Sequence, residues 1–408
     1  MEMKPGYKKT EVGIVPDDWE VHSLGHLGEA LIGLTYKPAD VREHGTLVLR
    51  SSNIQDDALA FDDNVFVDTI IPDRIMVRPG DVLVCVRNGS RTLIGKSALL
   101  NERTLGMTFG AFMAIYRSQI GKLASYLFQS DIIKRQISEH LGATINQITN
   151  KSLNSFRVPL PKDDAERDAI AQALSDIDAL ITALNRLIAK KRDIKQATMQ
   201  QLLTGKTRLP GFSGKWETKK VASFTSCSAG GTPSTHVGAY WGGSIKWMSS
   251  GDLHQKRVAD VTGRITQAGV ENSAATILPR KCVLIGLAGQ GKTRGTVAIN
   301  LTELSTNQSI GAIIPSDTFV PEYLFYNLDN RYTELRELSS GGGRGGLNLK
   351  LLGNLDIPLP CLAEQAAISA VLSDMDAELT ALEAQRDKTH AIKQGMMQEL
   401  LTGKTRLI

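Results

Sequence analysis

The sequence predicts an α+β protein in which two mixed, β-rich globular domains alternate with two long helices, the whole chain forming an internal pseudo-two-fold duplication. Three observations predict it. A 45-residue segment occurs twice, apolar residues inside each copy recur at alternating steps of four and three, and about 140 residues of different character precede each copy.

The repeat is direct. "AERDAIAQALSDIDALITALNRLIAKKRDIKQATMQQLLTGKTRL" from Ala165 and "AEQAAISAVLSDMDAELTALEAQRDKTHAIKQGMMQELLTGKTRL" from Ala363 agree at about 26 of 45 positions at a constant offset of 198, and each follows the same exit, "VPLP" or "IPLP". Ile170, Leu174, Ile177, Ile181, Leu184 and Ile188 in the first copy, and Ile368, Leu372, Met375, Leu379 and Leu382 in the second, have the spacing that keeps apolar side chains on one helix face as a coiled-coil seam. Roughly 40 residues at about 1.5 Å each make a rod on the order of 60 Å. The prolines stop a preceding strand, Asp163 with Glu166 has capping-box spacing, and Gly205 and Gly403 stand where a left-handed residue would end each helix. Lys190, Lys195 and Lys388 interrupt the apolar run. Each helix could pack on its own domain, but two near-identical interrupted seams favour pairing with each other or with a partner's helices. Mutual pairing is the expectation.

Residues 20–157 and 217–356 are rich in Gly, Ser, Thr and Val, with apolar runs such as "DVLVCVR" and "CVLIGLA" between turn signals. They read as compact, mostly β domains with a helix or two. The expected boundaries are 1–157 for an N-terminal segment and first domain, 158–209 for a central helical region, 210–356 for the second domain and 357–408 for a C-terminal helical region. The domains resemble each other in layout but scarcely in sequence: "WEVHSLGHLGEALIGLTYKP" lines up with "WETKKVASFTSCSAGGTPS", and Val82 with Val283. Trp19 and Trp216 are expected to anchor each domain's start in its core.

At 408 residues, 42% hydrophobic and 22% charged, the chain has the make-up of a soluble globular protein with room for two or three cores. No run approaches the roughly 18–20 apolar residues of a membrane span, and the N-terminal charges lack an apolar stretch behind them, so a cytoplasmic protein without membrane contact is expected. Cys85, Cys227, Cys282 and Cys361 are far apart and lack zinc-ligand spacing, which points to buried free thiols and no metal site. A formal charge of +4, from 47 Lys and Arg against 43 Asp and Glu, does not mark a nucleic-acid protein by itself. Any such affinity must come from local patches or a partner.

"GLAGQGKT", Gly286 to Thr293, matches the phosphate-loop pattern G-x-x-x-x-G-K-[ST]. A working phosphate loop must open a helix, whose N-terminus helps to hold the phosphates. Here "RGTVAINL" follows, which favours a strand, and "IGAIIPSD" puts a proline before its acid. The corresponding place in the first domain, "VLVCVRNGSRTLIGKSA", is a polar, basic hairpin without the pattern. A P-loop ATPase is therefore the weaker enzyme-class alternative. The chain also contains no [DN]-P-P-[FYW] methyltransferase motif, no coherent glycine-rich S-adenosylmethionine loop and no ordered helicase or nuclease signature.

The order of variable domain, long helix, variable domain, long helix, with "LLTGKTRLPGFSGKW" at the first junction, "LLTGKTRL" at the C-terminus and "GYKKTEVGIVPDDWEV" near the N-terminus, resembles the specificity (S) subunit of bacterial type I restriction-modification systems over essentially the whole chain. The resemblance implies two target-recognition domains, each reading half of a bipartite double-stranded DNA site, and two helices paired antiparallel as the spacer. It implies no catalysis and no cofactor in this chain. Two modification subunits that bind S-adenosylmethionine and methylate adenine at N6 would dock on it, with ATP- and Mg2+-dependent restriction subunits as further partners, in a host-defence assembly. An orphan scaffold that holds modification subunits without reading DNA is the alternative.

On that reading the polar loops are DNA-facing candidates, because Gln and Asn suit adenine, Arg suits guanine and Lys suits phosphate. They are Arg87, Asn88, Arg91 and Lys96 in the first hairpin and Gln290, Lys292 and Arg294 in the second. "LRSSNIQDD" adds Arg50, Ser52 and Asn53, and "KWMSSGDLHQKR" adds Ser249, Ser250, Lys256 and Arg257. "SSGGGRGGLNLK" contributes Arg344, and the matching "GATINQITNK" contributes Asn146. Thr306, Asn307 and Gln308 could equally be turn formers, and "TGKT" is assigned to capping and to packing against a partner.

Overall fold

The computed structural model describes residues 5–141, 146–289, 291–338 and 346–407. The chain folds as two compact units, Met1–Asn185 with Gln385–Ile408, and Arg186–Ala384. Both divisions fall inside a long helix, so each unit holds one β-rich domain together with one end of each helix.

In the first unit a four-stranded antiparallel sheet runs in the order Ser97–Leu99, Val82–Cys85, Met113–Ser118, Gly28–Ile32. A second sheet pairs Thr108–Phe109 parallel to Thr46–Leu49. Val82, Leu83, Val84 and Cys85 are all fully buried because both faces of their strand are covered. Val82 and Val84 meet Leu127, Phe128 and Ile133 of the helices Gly121–Gln129 and Asp131–His140, while Leu83 and Cys85 meet Leu47, Leu49 and Phe109 of the second sheet. A strand buried on both faces reads as a continuous apolar run, as "VLVC" does.

The second unit repeats the plan. Its main sheet runs Cys227–Ala229, Ile310–Ile313, Val283–Gly286, Val297–Asn300, Arg257–Val258. Ser305–Thr306 lies parallel to Trp241–Met248. Val283 and Ile285 pack under the helix Pro321–Asp329, and Leu284 packs against Met248 and Leu304. Each domain is closed by its exit strand: Arg157–Pro161 pairs with Trp19–Ser23, and Asp356–Leu359 with Glu217–Lys220.

The long helices are Asp164–Leu202 and Leu362–Leu400, 39 residues each. Ile170 and Leu174 share a core with Met397, Leu400 and Leu401 in the first unit, as Ile368 and Leu372 do with Met199, Leu202 and Leu203 in the second. In both units the first turns of one helix therefore meet the last turns of the other, an antiparallel pairing. Ile170, Leu174, Ile181, Leu184, Ile188, Ile368 and Leu372 are buried, whereas Ile177, Met375, Leu379 and Leu382 are half-buried. A charged triad recurs in each unit. Lys393 lies 2.8 Å from Asp178 and 5.6 Å from the Tyr126 ring centre, and the Tyr126 hydroxyl donates to Asp178 at 2.9 Å. Lys195 pairs with Asp376 and lies 5.6 Å from the Tyr326 ring centre, while Tyr326 donates to Asp376 at 2.6 Å. One lysine that interrupts the apolar run is thus matched by a carboxylate on the facing helix.

The helix ends follow the expectation at one terminus and depart from it at the other. Gly205 and Gly403 have φ of 70° and 69°, the left-handed cap that a Cβ would disfavour. Asp163 caps the first helix by accepting from the Ala165 backbone N–H at 2.9 Å. Glu166 does not complete a capping box; its carboxylate, 2% exposed, is held by Arg406 at 2.6 and 2.8 Å. Glu364, 1% exposed, is held in the same way by Arg208, with Trp216 Nε1 donating to it at 3.1 Å. The "TGKTRL" segments accordingly close onto their own units through these arginines. Trp19 is fully buried beneath Arg406, and Trp216 is partly buried beneath Arg208. All four cysteines are free; Cys85 and Cys282 are buried as expected, whereas Cys227 is half-buried and Cys361 exposed.

Candidate nucleic-acid interface

"GLAGQGKT" ends a strand and turns into another. Val283–Gly286 leads into a hairpin that returns as Val297–Asn300, antiparallel to it, and no helix opens after Thr293. Gly286 is required by close approach, since a Cβ there would lie 2.2 Å from the Thr293 carbonyl oxygen. The hairpin is braced from behind by Tyr332, whose hydroxyl donates to the Lys292 carbonyl at 3.0 Å, and by Arg336, which donates to the Gly291 carbonyl at 2.7 Å.

The first-domain hairpin is bonded in the same way. Gly95 N–H donates to the Cys85 carbonyl and Cys85 N–H to Lys96, as Gly295 does to Gly286 and Gly286 to Thr296. The correspondence extends across the loops at that end of each domain. Val86 donates to Phe112 and Leu287 to Ser309; Gly110 to Leu49 and Asn307 to Met248; Leu34 to Phe109 and Gly231 to Thr306; Ile148 to Val86 and Leu347 to Leu287. Arg50 N–H donates to the Asn53 side chain at 2.9 Å, and Ser249 N–H to Asp252 at 3.0 Å. Arg50, Arg87 and Phe112 therefore stand at the positions of Ser249, Ala288 and Ser309.

In the first domain this frame brings four candidates together. Arg50 and Ser52 line a cleft of about 720 Å3 that also takes in Tyr36, Asp63 and Phe112. Asn88 donates to Ser51 Oγ at 3.4 Å at its edge, and the exposed Arg87 guanidinium lies 5.0 Å from the Phe112 ring centre. Asn146 is exposed beside Gln147, which bridges to Arg87. Arg91 and Lys96 line a separate cleft of about 570 Å3 with Lys134. Arg91 donates to the Leu141 carbonyl and Lys96 to that of Ile54 at 2.9 Å.

Three further candidates have partners within their own domain. Asn53 is fully buried, and its amide donates to the carbonyls of Ala60 and Asp63 and to Asn64 while its oxygen caps Arg50, so it shapes the loop and offers nothing to a ligand. Lys256 is 2.6 Å from Asp329. Arg257 donates to the Tyr326 hydroxyl at 2.6 Å and lies 3.7 Å from Asp376, which ties it to the helical side of the domain and away from the hairpin. Ser249 is half-committed, its Oγ donating to Asp252 at 2.8 Å within the turn it begins. Ser250 is half-buried, Lys292 exposed and Arg294 half-buried on the hairpin; Gln290 and Arg344 lie outside the described residues.

Sequence reasoning missed Tyr36 and Phe112 in the first domain. Phe112 is 58% exposed on the turn between the buried strands Thr108–Phe109 and Met113–Ser118, and nothing in "GAFMA" sets it apart from a core aromatic. In the second domain Thr232 donates to Gln308 at 2.5 Å, and the indoles of Trp241 and Trp247 brace that loop by donating to the carbonyls of Ser234 and Gly231. Thr306 is buried, and Gln308 is exposed at the loop tip.

Comparison with known proteins gives one consistent result. The model of the type I restriction modification DNA specificity domain matches twice, over residues 16–195 and 213–390. The putative type I restriction enzyme MjaX specificity subunit of Methanocaldococcus jannaschii is 24% identical over 98% of this chain and 97% of its own length. The MjaIX specificity subunit of the same organism is 32% identical over 40% of this chain and 38% of its own. The crystal structure of the type I restriction-modification S subunit from M. genitalium superposes with a TM-score of 0.60 at 14% identity, covering 98% of this chain and 99% of that one, which is a likeness of fold. A described membrane-length apolar helix and a described cluster of metal-ligating side chains are both lacking. With its two matched specificity domains and the duplicated fold, the chain belongs to the family of type I restriction-modification DNA specificity subunits.

Proposed function

We propose that each β-rich domain reads one half of a bipartite double-stranded DNA target and that the paired helices fix the number of unread base pairs between the halves. The chain is the non-catalytic recognition and scaffold subunit of a cytoplasmic assembly. It carries two adenine-N6 modification subunits, and restriction subunits join them where the host encodes them; S-adenosylmethionine, ATP and Mg2+ belong to those partners. The observation that carries this reading is one loop frame built twice with different side chains at its tips, Arg50, Arg87 and Asn88 in one domain and Ser250, Lys292 and Gln308 in the other. Donor- and acceptor-bearing loops on a rigid frame are what base-edge reading requires. Two readers joined by a rod contact two sites at a fixed spacing. The near-neutral net charge leaves a share of the phosphate contacts to the partner subunits.

The test is to co-express the chain with its neighbouring modification subunit in a methylation-free host and map N6-methyladenine across the genome. A split motif with a constant gap is the expected result. Methylation at a single short half-sequence would show that one domain does not read, and a stable complex that leaves no motif would make the chain a scaffold only.

A further inference from the structure

The cleft in the first domain has a composition that base-edge reading alone does not call for. Tyr36 and Phe112 give it flat aromatic surface, and Phe112 is left 58% exposed. Exposed aromatic surface facing a cleft is costly in water unless a partner covers it, and the partner such surface suits is another flat π-system. The polar groups around it are of the kind that orient such a ligand. Arg50, held 2.8 Å from Asp63, and Ser52 lie in the wall, and Ser52 Oγ is buried with no hydrogen-bond partner among the described residues. Arg87 lies over the Phe112 ring with its guanidinium exposed, placed to meet a phosphate beside whatever the cleft holds. A volume of about 720 Å3 admits a nucleotide with room to spare. The second domain does not repeat the feature, since Ser249, Ala288 and Ser309 occupy the frame positions of Arg50, Arg87 and Phe112.

We propose that this cleft is a nucleobase site: one base of the half-site read by the first domain leaves the helical stack and rests against Phe112 and Tyr36, with Arg87 on its phosphate. The inference rests on the reading of the first domain as a DNA reader. Taking a base out of a duplex is unfavourable by itself and is offset when aromatic faces replace its neighbours in the stack.

The test uses the full chain in complex with its modification subunits, on duplexes carrying the mapped target with 2-aminopurine placed in turn at each first-half position, methylated adenines excluded. One position is expected to brighten several-fold on binding. Phe112→Ala and Tyr36→Ala should abolish that rise and weaken specific binding between about five-fold and about a hundred-fold, the usual worth of one stacked base. Tyr36→Phe should keep the rise, and methylation of the second half-site on hemispecific duplexes should report that the variants are folded. If every position stays dark while specific binding is intact, the base remains stacked and the nucleobase site is refuted, with DNA reading unaffected. If the complex binds no sequence specifically, the DNA reading itself fails and this site falls with it.

Discussion

Where the first domain displays Arg50, Arg87 and Phe112, the second displays Ser249, Ala288 and Ser309, although the backbone around both sets is hydrogen-bonded in the same pattern. The difference separates what holds a domain from what it shows. The buried strands Val82–Cys85 and Val283–Gly286, the glycines of the hairpins and the acceptors that cap the loop turns do the same work twice. The side chains at the loop tips have diverged freely because they contribute little to the core. Two half-sites of different sequence are the expected consequence.

The strongest way to break this comparison is to make the first domain look like the second. Arg50→Ser, Arg87→Ala and Phe112→Ser together install the second domain's residues on the first domain's frame. Each lost base or stacking contact is worth about 1–3 kcal/mol, so the triple variant should lose at least about a hundred-fold in affinity for the first half-site. The second half-site should be methylated as before. Binding assays on duplexes mutated in one half at a time decide it: equal weakening at both halves, or none at either, would refute the assignment of these loops.

A second comparison lies at the helix ends. Arg406 serves two carboxylates, Glu166 and Asp18, the latter at 2.9 and 2.7 Å, while Arg208 serves Glu364 and the Gly214 carbonyl at 2.7 Å. Arg406 also holds the Asp18 carboxyl below its ordinary pKa. Removing Arg406 strands a carboxylate that is 2% exposed, and uncompensated buried charge of this kind costs about 3 kcal/mol. Arg406→Ala should therefore destabilise the first unit, and Arg208→Ala the second by a smaller amount, because Trp216 still donates to Glu364. Hydrogen exchange resolved along the sequence checks this; loosening spread over the whole chain by either variant would mean that the locks do not belong to single units.

Much of this architecture is written in local pattern. The two long helices follow from the seam, their ends from Gly205 and Gly403, and the hairpin at "GLAGQGKT" from the strand-forming "TVAIN" behind it. What local pattern does not carry is the identity of distant partners. That Glu166 faces Arg406 instead of its own helix start depends on a contact 240 residues away. Nor does a sequence show that Lys256 has Asp329, and Arg257 has Tyr326, beside it. Phe112 was hidden for the converse reason, since in "GAFMA" an aromatic reads as core until the fold leaves it outside.

A difference of smaller expected effect lies at one histidine. His22 lies on the strand Trp19–Ser23, its ring stacked on His26 at 5.2 Å and its Nε2 3.4 Å from Glu20; the aligned strand Glu217–Lys220 has Lys219 there, 2.7 Å from Glu217. Burial lowers the His22 pKa, Glu20 raises it and His26 lowers it again, leaving a net depression below the ordinary 6.5. A folded-state pKa below the unfolded one means that the unfolded chain takes up the proton first. The stability that neutral His22 contributes is thus complete above about pH 6.5 and is lost as pH falls from there towards its folded-state value. The effect should stay below about 1 kcal/mol, because the ring is only half-buried. Thermal unfolding followed from pH 7.5 to 5 should show the first unit weakening on acidification, and His22→Gln should flatten that slope. An unchanged slope in the variant would place the acid sensitivity elsewhere.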